Sequence, residues 1–289
     1  RAINLGAVVK HSLVKQNIFS LLGVDYYRAG FTQNMLAELY LQQFSADIDL
    51  HIPFTSFAYE NNKIFMPDVS KKDPLMASYS MNGFLMERGS ASLSYLRLLF
   101  MRQQLNGGAS TDLYPYGLPT NSAYYYDNSV VYDGIHQIIT NLHKEARPFF
   151  AYFHLMSPHD PYTPTGEFVN SLEEVNFSTK KTHPLNERVS PSKLLDKRKR
   201  YDEYIANVDA EIGKLVDSLQ QTGVLEDTYL FILSDHGELF ERGVLGHTTP
   251  LLYEPVIRIP LLVLAPEQST RIDFHTSTSN VDILPTILF

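Results

Sequence analysis

The sequence predicts an α/β fold: a mainly parallel sheet with helices on both faces. Continuous apolar runs at 148–156, 228–234 and 259–265 read as strands buried on both faces, because strands with one wet face alternate instead. Before the second run, Tyr201, Tyr204, Ile205, Val208, Ile212, Leu215, Val216 and Leu219 recur at spacings of three and four, which places them on one stripe of a helix. Strand, helix and strand with short joins form the βαβ pattern of parallel sheets.

Taken in order, 18–22 and 26–31 are short apolar pieces, and 35–44 has helical character. The stretch 53–74 reads as irregular connection. A helix is expected over 85–105, with Leu93, Leu96 and Leu99 among its apolar positions, and a loop rich in Gly, Ser, Pro and Tyr over 106–126. Helical periodicity returns at 128–144, where Val131, Ile135, Ile138, Ile139 and Leu142 share a face. The strand 148–156 is interrupted only by His154, here expected to be a core residue. The polar segment 162–192 reads as a surface excursion, and Gly223 stands where a helix ending near Leu219 should stop.

A chain of 289 residues, 44% hydrophobic and 19% charged, suits one large α/β domain or two small ones. No apolar run approaches the roughly 20 residues needed to cross a bilayer. The formal charge of −8 argues against a nucleic-acid partner, which would draw on a basic surplus. With no cysteine there is no disulfide, thiolate ligand or cysteine nucleophile in these residues. The chain starts at Arg1 without an initiating Met and stops at Phe289 directly after an apolar segment, so it reads as part of a longer protein.

Three polar clusters lie at or near strand ends, where ligands gather in such sheets. They are Ser157-Pro158-His159-Asp160-Pro161-Tyr162, Ser234-Asp235-His236-Gly237-Glu238, and Gly246-His247. Adjacent carboxylate and imidazole groups at Asp235 and His236 could turn toward one divalent cation. They fit equally a helix cap followed by a surface histidine. Gly237 would let the chain turn tightly after them. Prolines on either side restrict the backbone around His159, which suits an imidazole donating to an anion or a leaving group, and also suits a plain turn. His247 reads as a second such imidazole or as a loop residue. His154, Asp160 and Glu238 carry weaker signals.

Taken in order, these segments resemble the sulfatase family of the alkaline-phosphatase-like superfamily. The match runs from 148–162 through the helix with Val208-Asp209 and Ile212-Gly213, then Asp235-His236-Gly237-Glu238, Gly246-His247, Tyr253-Glu254, 257–263 and 281–288. It is fullest over 128–289 and loose over the first third, where 26–34 and Asn34 correspond only approximately. The resemblance implies a partial catalytic domain over 1–289 with an alkaline-phosphatase-like fold truncated at both ends. It implies Asp235 and His236 as one pair of metal ligands, His159 as the sulfate-binding or leaving-group histidine, and His247 as a contact to the sulfate oxygens. The implied cation is Ca2+, with Mg2+ or Mn2+ in some branches, and the implied substrate is a small-molecule or carbohydrate sulfate ester. An exported location is favoured.

The family's nucleophile lies in a Cys-x-Pro-Ser-Arg or Ser-x-Pro-Ser-Arg segment, where it is oxidised to formylglycine. That segment and the first pair of metal-binding aspartates are not identifiable here. Val189-Ser190-Pro191-Ser192-Lys193 has Val at the nucleophile position and Lys in place of Arg, and it follows His159. The missing elements are therefore expected before Arg1, which would leave this chain inactive alone. The expected activity is metal-dependent sulfate-ester hydrolysis. The alternatives are a phosphodiesterase, phosphonate hydrolase or phosphoryl-group transferase of the same superfamily, and a non-catalytic binding protein that keeps the fold.

Overall fold

The computed structural model describes residues 17–52, 112, 114–117, 127–173, 177–178, 180, 189–248 and 252–288. The expected helix over 85–105, the connection 53–74 and most of the loop 106–126 lie outside the described residues. The chain divides into two compact units, Arg1–Ala109 with Leu118–Met156 and Val281–Phe289, and Ser110–Gly117 with Ser157–Asn280.

In the first unit the elements run α1 (Ile18–Leu22), β1 (Tyr27–Thr32), α2 (Met35–Gln43), β2 (Leu50–Ile52), α3 (Asn128–His143) and β3 (Phe149–His154). The strands form a parallel sheet in the order β2-β1-β3, with Ala29 opposite both Leu50 and Ala151. Parallel neighbours need crossover connections, and α2 supplies the first. Phe19, Leu41 and Ile48 make a core against which Phe44 and Phe150 pack. On α3 the expected stripe of Val131, Ile135, Ile138, Ile139 and Leu142 is buried throughout, and the Asp127 side chain accepts Ser129 N–H at 2.8 Å to cap the helix. The strand buried on both faces is β1, held between two neighbours. The expected buried strand, β3, is half-buried, with Tyr152 40% exposed.

Placing β1 in the interior buries Arg28, and that charge needs a partner. Arg28 donates through Nε and its backbone N to Asp49 Oδ2 at 3.0 and 2.9 Å, and through Nη1 to Phe19 O at 3.2 Å. The Arg28 guanidinium holds the Asp49 carboxyl below the usual carboxylate range, with Arg147 adding a more distant positive charge.

In the second unit the elements are α4 (Pro191–Gln221), β4 (Leu230–Leu233), α5 (Glu254–Ile257) and β5 (Leu261–Leu264). A further helix, α6 (Ile283–Leu288), clusters with the first unit. The helix α4 starts ten residues before its apolar stripe. Ser190 caps it by accepting Lys193 N–H at 3.3 Å, and Pro191 opens its first turn. The pairs Arg200–Asp196 and Arg198–Asp202 lie one turn apart on this charged segment. The helix ends at Thr222, with Gly223 in the left-handed conformation at φ 76°. Glu203, fully buried on α4, accepts Tyr116 O–H at 2.7 Å and Asn170 N–H at 2.8 Å. Burial and the neighbouring carboxylate push the Tyr116 hydroxyl up to about 12.

The run 228–234 was expected to join a parallel sheet. Instead β4 pairs antiparallel with β5, Leu230 opposite Leu264 and Leu233 opposite Leu261. The chain between them contains only the one-turn helix α5 among its described residues, so it reverses direction rather than crossing over. Nor is this ribbon buried on both faces: Leu262 is 52% exposed and Val263 41%.

The turn after β4 is fixed from below. Gly237 donates its N–H to Val256 O at 2.7 Å, and a Cβ on it would overlap the Pro255 carbonyl. Glycine is required here for close approach of two backbones, not for the tight turn that the sequence suggests. Leu239, Val244 and Val256 pack together beneath.

Two outcomes follow from these contacts. Asp49→Asn should lower unfolding stability at neutral pH by about 1.5–3 kcal/mol, the range for a hydrogen bond to a charged group. Because the folded carboxyl titrates below its unfolded value, the difference from the parent should persist above about pH 4 and shrink as pH falls. Chemical denaturation across pH reads this directly. Gly237→Ala should destabilise by about 1–3 kcal/mol, the usual penalty for overpacking, whereas an unchanged denaturation midpoint would contradict the close approach.

Candidate active site

Beyond β4 the chain enters a loop that gathers three histidines in the second unit. Ser234 O–H donates to His236 O at 2.5 Å, and Asp235 Oδ1 accepts His236 N–H at 2.9 Å. No helix follows directly, so Asp235 caps none, and the helix-cap alternative falls away. Its side chain is 65% exposed and lies with Oδ1 3.7 Å from His236 Nε2. His236 Nδ1 is 2.9 Å from Gly237 O. A carbonyl only accepts, so this contact assigns the proton to Nδ1 and the lone pair to Nε2, on the side of the Asp235 carboxylate.

His247 is brought alongside by the loop closure Gly246 N–H to Leu239 O, 2.9 Å. Its ring stacks on that of His236, with centroids 3.9 Å apart and planes inclined by 24°. Its Nδ1 lies 3.0 Å from Glu238 Oε2. His159 arrives from the segment after β3, its ring 5.5 Å from that of His247 and edge-on to it. His159 Nδ1 is 2.6 Å from Asp160 O. Both peptide bonds entering its flanking prolines, Ser157–Pro158 and Asp160–Pro161, are cis. Asp160 pairs with Lys197 of α4, whose ammonium lies 5.3 Å from the centre of the Tyr162 ring.

Thus Asp235, His236, His247 and His159, singled out from sequence, converge on one face of one unit. Each imidazole places Nδ1 against an oxygen acceptor. His154 ends β3 in the first unit, with Nδ1 3.1 Å from Tyr152 Oη. Asn34 lies in the first unit too, where its side chain accepts Ala37 N–H at 3.2 Å at the start of α2. The look-alike at 189–193 is the start of α4, with the Ser190 hydroxyl engaged as its cap.

Two residues carry more than sequence reasoning assigned them. Glu238, ranked low, is the buried partner of His247, and its charge together with burial raises the Tyr201 hydroxyl, burial being the larger cause. Lys197 adds a positive charge next to the His159 segment. The Glu238–His247 contact spans nine positions, and no local pattern encodes a loop closure of that length.

Among the described residues no group of three or more His, Asp or Glu side chains is arranged to hold a metal ion. Asp235 and His236 therefore offer two donors, one hard oxygen and one imidazole nitrogen. The surrounding imidazoles and Lys197 suit an anion with several oxygens.

A family model described as Sulfatase matches residues 26–288. The choline-sulfatase of Rhizobium meliloti (strain 1021) is 28% identical over 161 residues, covering 49% of this chain and 31% of that protein. The N-acetylglucosamine-6-sulfatase of Bos taurus is 31% identical over 159 residues, covering 50% and 28%. The chain spans less than a third of the length of these curated relatives. Among solved structures, the lipoteichoic acid synthase LtaP from Listeria monocytogenes shares the fold with a TM-score of 0.53 at 16% identity, over 97% of this chain and 54% of that one. The phosphonate monoester hydrolase SpPMH from Silicibacter pomeroyi does so with a TM-score of 0.51 at 16% identity, over 94% and 57%. With a family match running from the first described strand to the last described helix, the chain belongs to the sulfatase family.

Proposed function

We propose that the protein hydrolyses sulfate esters with a divalent cation, and that these residues form one side of its active site. The observation that carries the reading is the His236 Nδ1–Gly237 O contact, which leaves the Nε2 lone pair on the side of Asp235 Oδ1, 3.7 Å away. A histidine that ligates a metal through one nitrogen commonly donates from the other to a backbone carbonyl, which fixes its ring. Asp235 and His236 would supply one oxygen and one nitrogen donor. Ca2+ is the ion the family favours, whereas the imidazole donor suits Mn2+ better. When bound, the cation would neutralise ester oxygens and help activate the nucleophile.

The remaining roles fall to this chain's own groups. His247, stacked on His236, would donate from Nε2 to a sulfate oxygen when its ring is protonated. His159, 5.5 Å from His247, would donate from Nε2 to the sulfate or to the departing alcohol oxygen when its ring carries a proton on both nitrogens. Lys197, held by Asp160, would add to the positive potential that draws the anion in. The nucleophile, a formylglycine in this reading, would come from a segment outside these 289 residues. The substrate is a small-molecule or carbohydrate sulfate ester.

The complete protein should hydrolyse an aryl sulfate, lose activity on chelation, and recover it with Ca2+ or Mn2+. Asp235→Ala should cut turnover at least about 100-fold, the upper end of the loss when even an outer-shell partner of a metal is removed. It should also weaken cation binding in calorimetric titration, and undiminished turnover and binding would sink the metal assignment. Faster turnover of an aryl phosphate or phosphonate would move the protein to the phosphoryl branch of the superfamily.

His159→Ala and His247→Ala should each lower kcat by about 10²–10⁴-fold, the span of general acid–base catalysis, with cation affinity retained. If both variants changed only KM, the two imidazoles would bind substrate without acting in the chemical step.

A further inference from the structure

We propose that Glu238 is the positioning residue for His247, holding the ring with its proton on Nδ1 so that its chemistry is confined to Nε2; this rests on His247 being a sulfate-facing group. The three clustered histidines do not anchor Nδ1 in the same way. His236 and His159 place it against backbone carbonyls at 2.9 and 2.6 Å, whereas His247 places it against a carboxylate oxygen at 3.0 Å. A charged acceptor makes a bond about twice as strong as a neutral one, and it binds an imidazole edge without competing for Nε2.

The carboxylate itself is held stiffly. The Glu238 side chain is 8% exposed against 23% for His247. The next two residues, Leu239 and Phe240, are fully buried, and Gly246 N–H bonds Leu239 O to bring the two ends of the loop together. Gly246 adopts φ 101°, a conformation that glycine accepts without strain, and its missing Cβ would stand 3.7 Å from Glu238 Oε1.

Among the described residues, Glu238 Oε1 is buried and has no hydrogen-bond partner. A half-satisfied buried charge is costly. Here one oxygen serves His247, and the other bears that cost. The contact that engages the Glu238 side chain is thus the one with the imidazole, Oε2 to Nδ1 at 3.0 Å.

Nitrogen spectra of protein labelled with 15N-histidine test the assignment, the His247 signals being identified by their loss in His247→Gln. The unsubstituted protein should show His247 protonated on Nδ1. A neutral ring protonated on Nε2 would overturn the proposal without any variant. Glu238→Ala should move His247 toward the Nε2–H form that histidine favours in water, while Glu238→Gln, which keeps an acceptor in place, should stay near the parent. Should Glu238→Ala fail to fold, Glu238→Leu fills the volume and makes the same comparison. A folded Ala or Leu variant with the parent tautomer would overturn the proposal.

In the complete protein, Glu238→Ala should lower kcat about 10–100-fold, the usual loss when a supporting partner is removed, with Glu238→Gln restoring most of it. If the tautomer shifts as expected but no variant, nor the parent, hydrolyses a sulfate ester, the positioning role stands and the sulfatase reading fails.

Discussion

Gly237 lies with its N–H on Val256 O and its Cα against the Pro255 carbonyl, and the geometry of the second unit's histidines hangs from that contact. It ties the residue after the Asp235–His236 pair to the helix α5 and pins the loop to a floor of Leu239, Val244 and Val256. The Gly237 carbonyl is then placed to accept a hydrogen bond from His236 Nδ1, which sets the face that His236 shows to Asp235. One backbone approach thus fixes both the path of the loop and the tautomer of a candidate ligand. Burying these apolar side chains contributes on the order of 1.5–3 kcal/mol each. The exposed side chains above them could not hold such geometry alone.

Above that floor, charge is distributed in pairs. Asp235 stands beside His236, Glu238 beside His247 and Asp160 on Lys197, so three of the positive or potentially positive groups have a carboxylate neighbour, while His159 has a backbone carbonyl. The result is a surface that can meet an oxyanion without carrying a large net charge of its own. In a chain whose overall charge is −8, such local arrangement matters more than composition for what binds.

What could be read from sequence was what is written locally. The stripe on α3, the strand before His159 and the stop at Gly223 each rest on periodicity or a single residue's backbone preference, and each appears where expected. The start of α4 was missed because its first turns bury little beyond Leu194 and are held by a serine cap and charged pairs. The direction of β4 against β5 was missed because a continuous apolar run has no polarity to report. Asp235, His236 and His159 were legible as candidates by residue type after apolar runs, His247 only as a loop histidine, and the family resemblance gave them order. Glu238 was not, because its meaning depends on Gly246 closing the loop onto Leu239.

Glu203 has a bearing on how this chain could be re-engineered. One buried carboxylate on α4 collects the Tyr116 hydroxyl from one loop and the Asn170 amide from another, segments far apart in sequence. Neither loop is therefore a free module. Grafting either one from a relative would strand an oxygen of Glu203 in the interior unless the graft brought its own donor. Homologous recombination between family members should break the chain so that 114–117, 166–170 and the middle of α4 travel together as one inherited block.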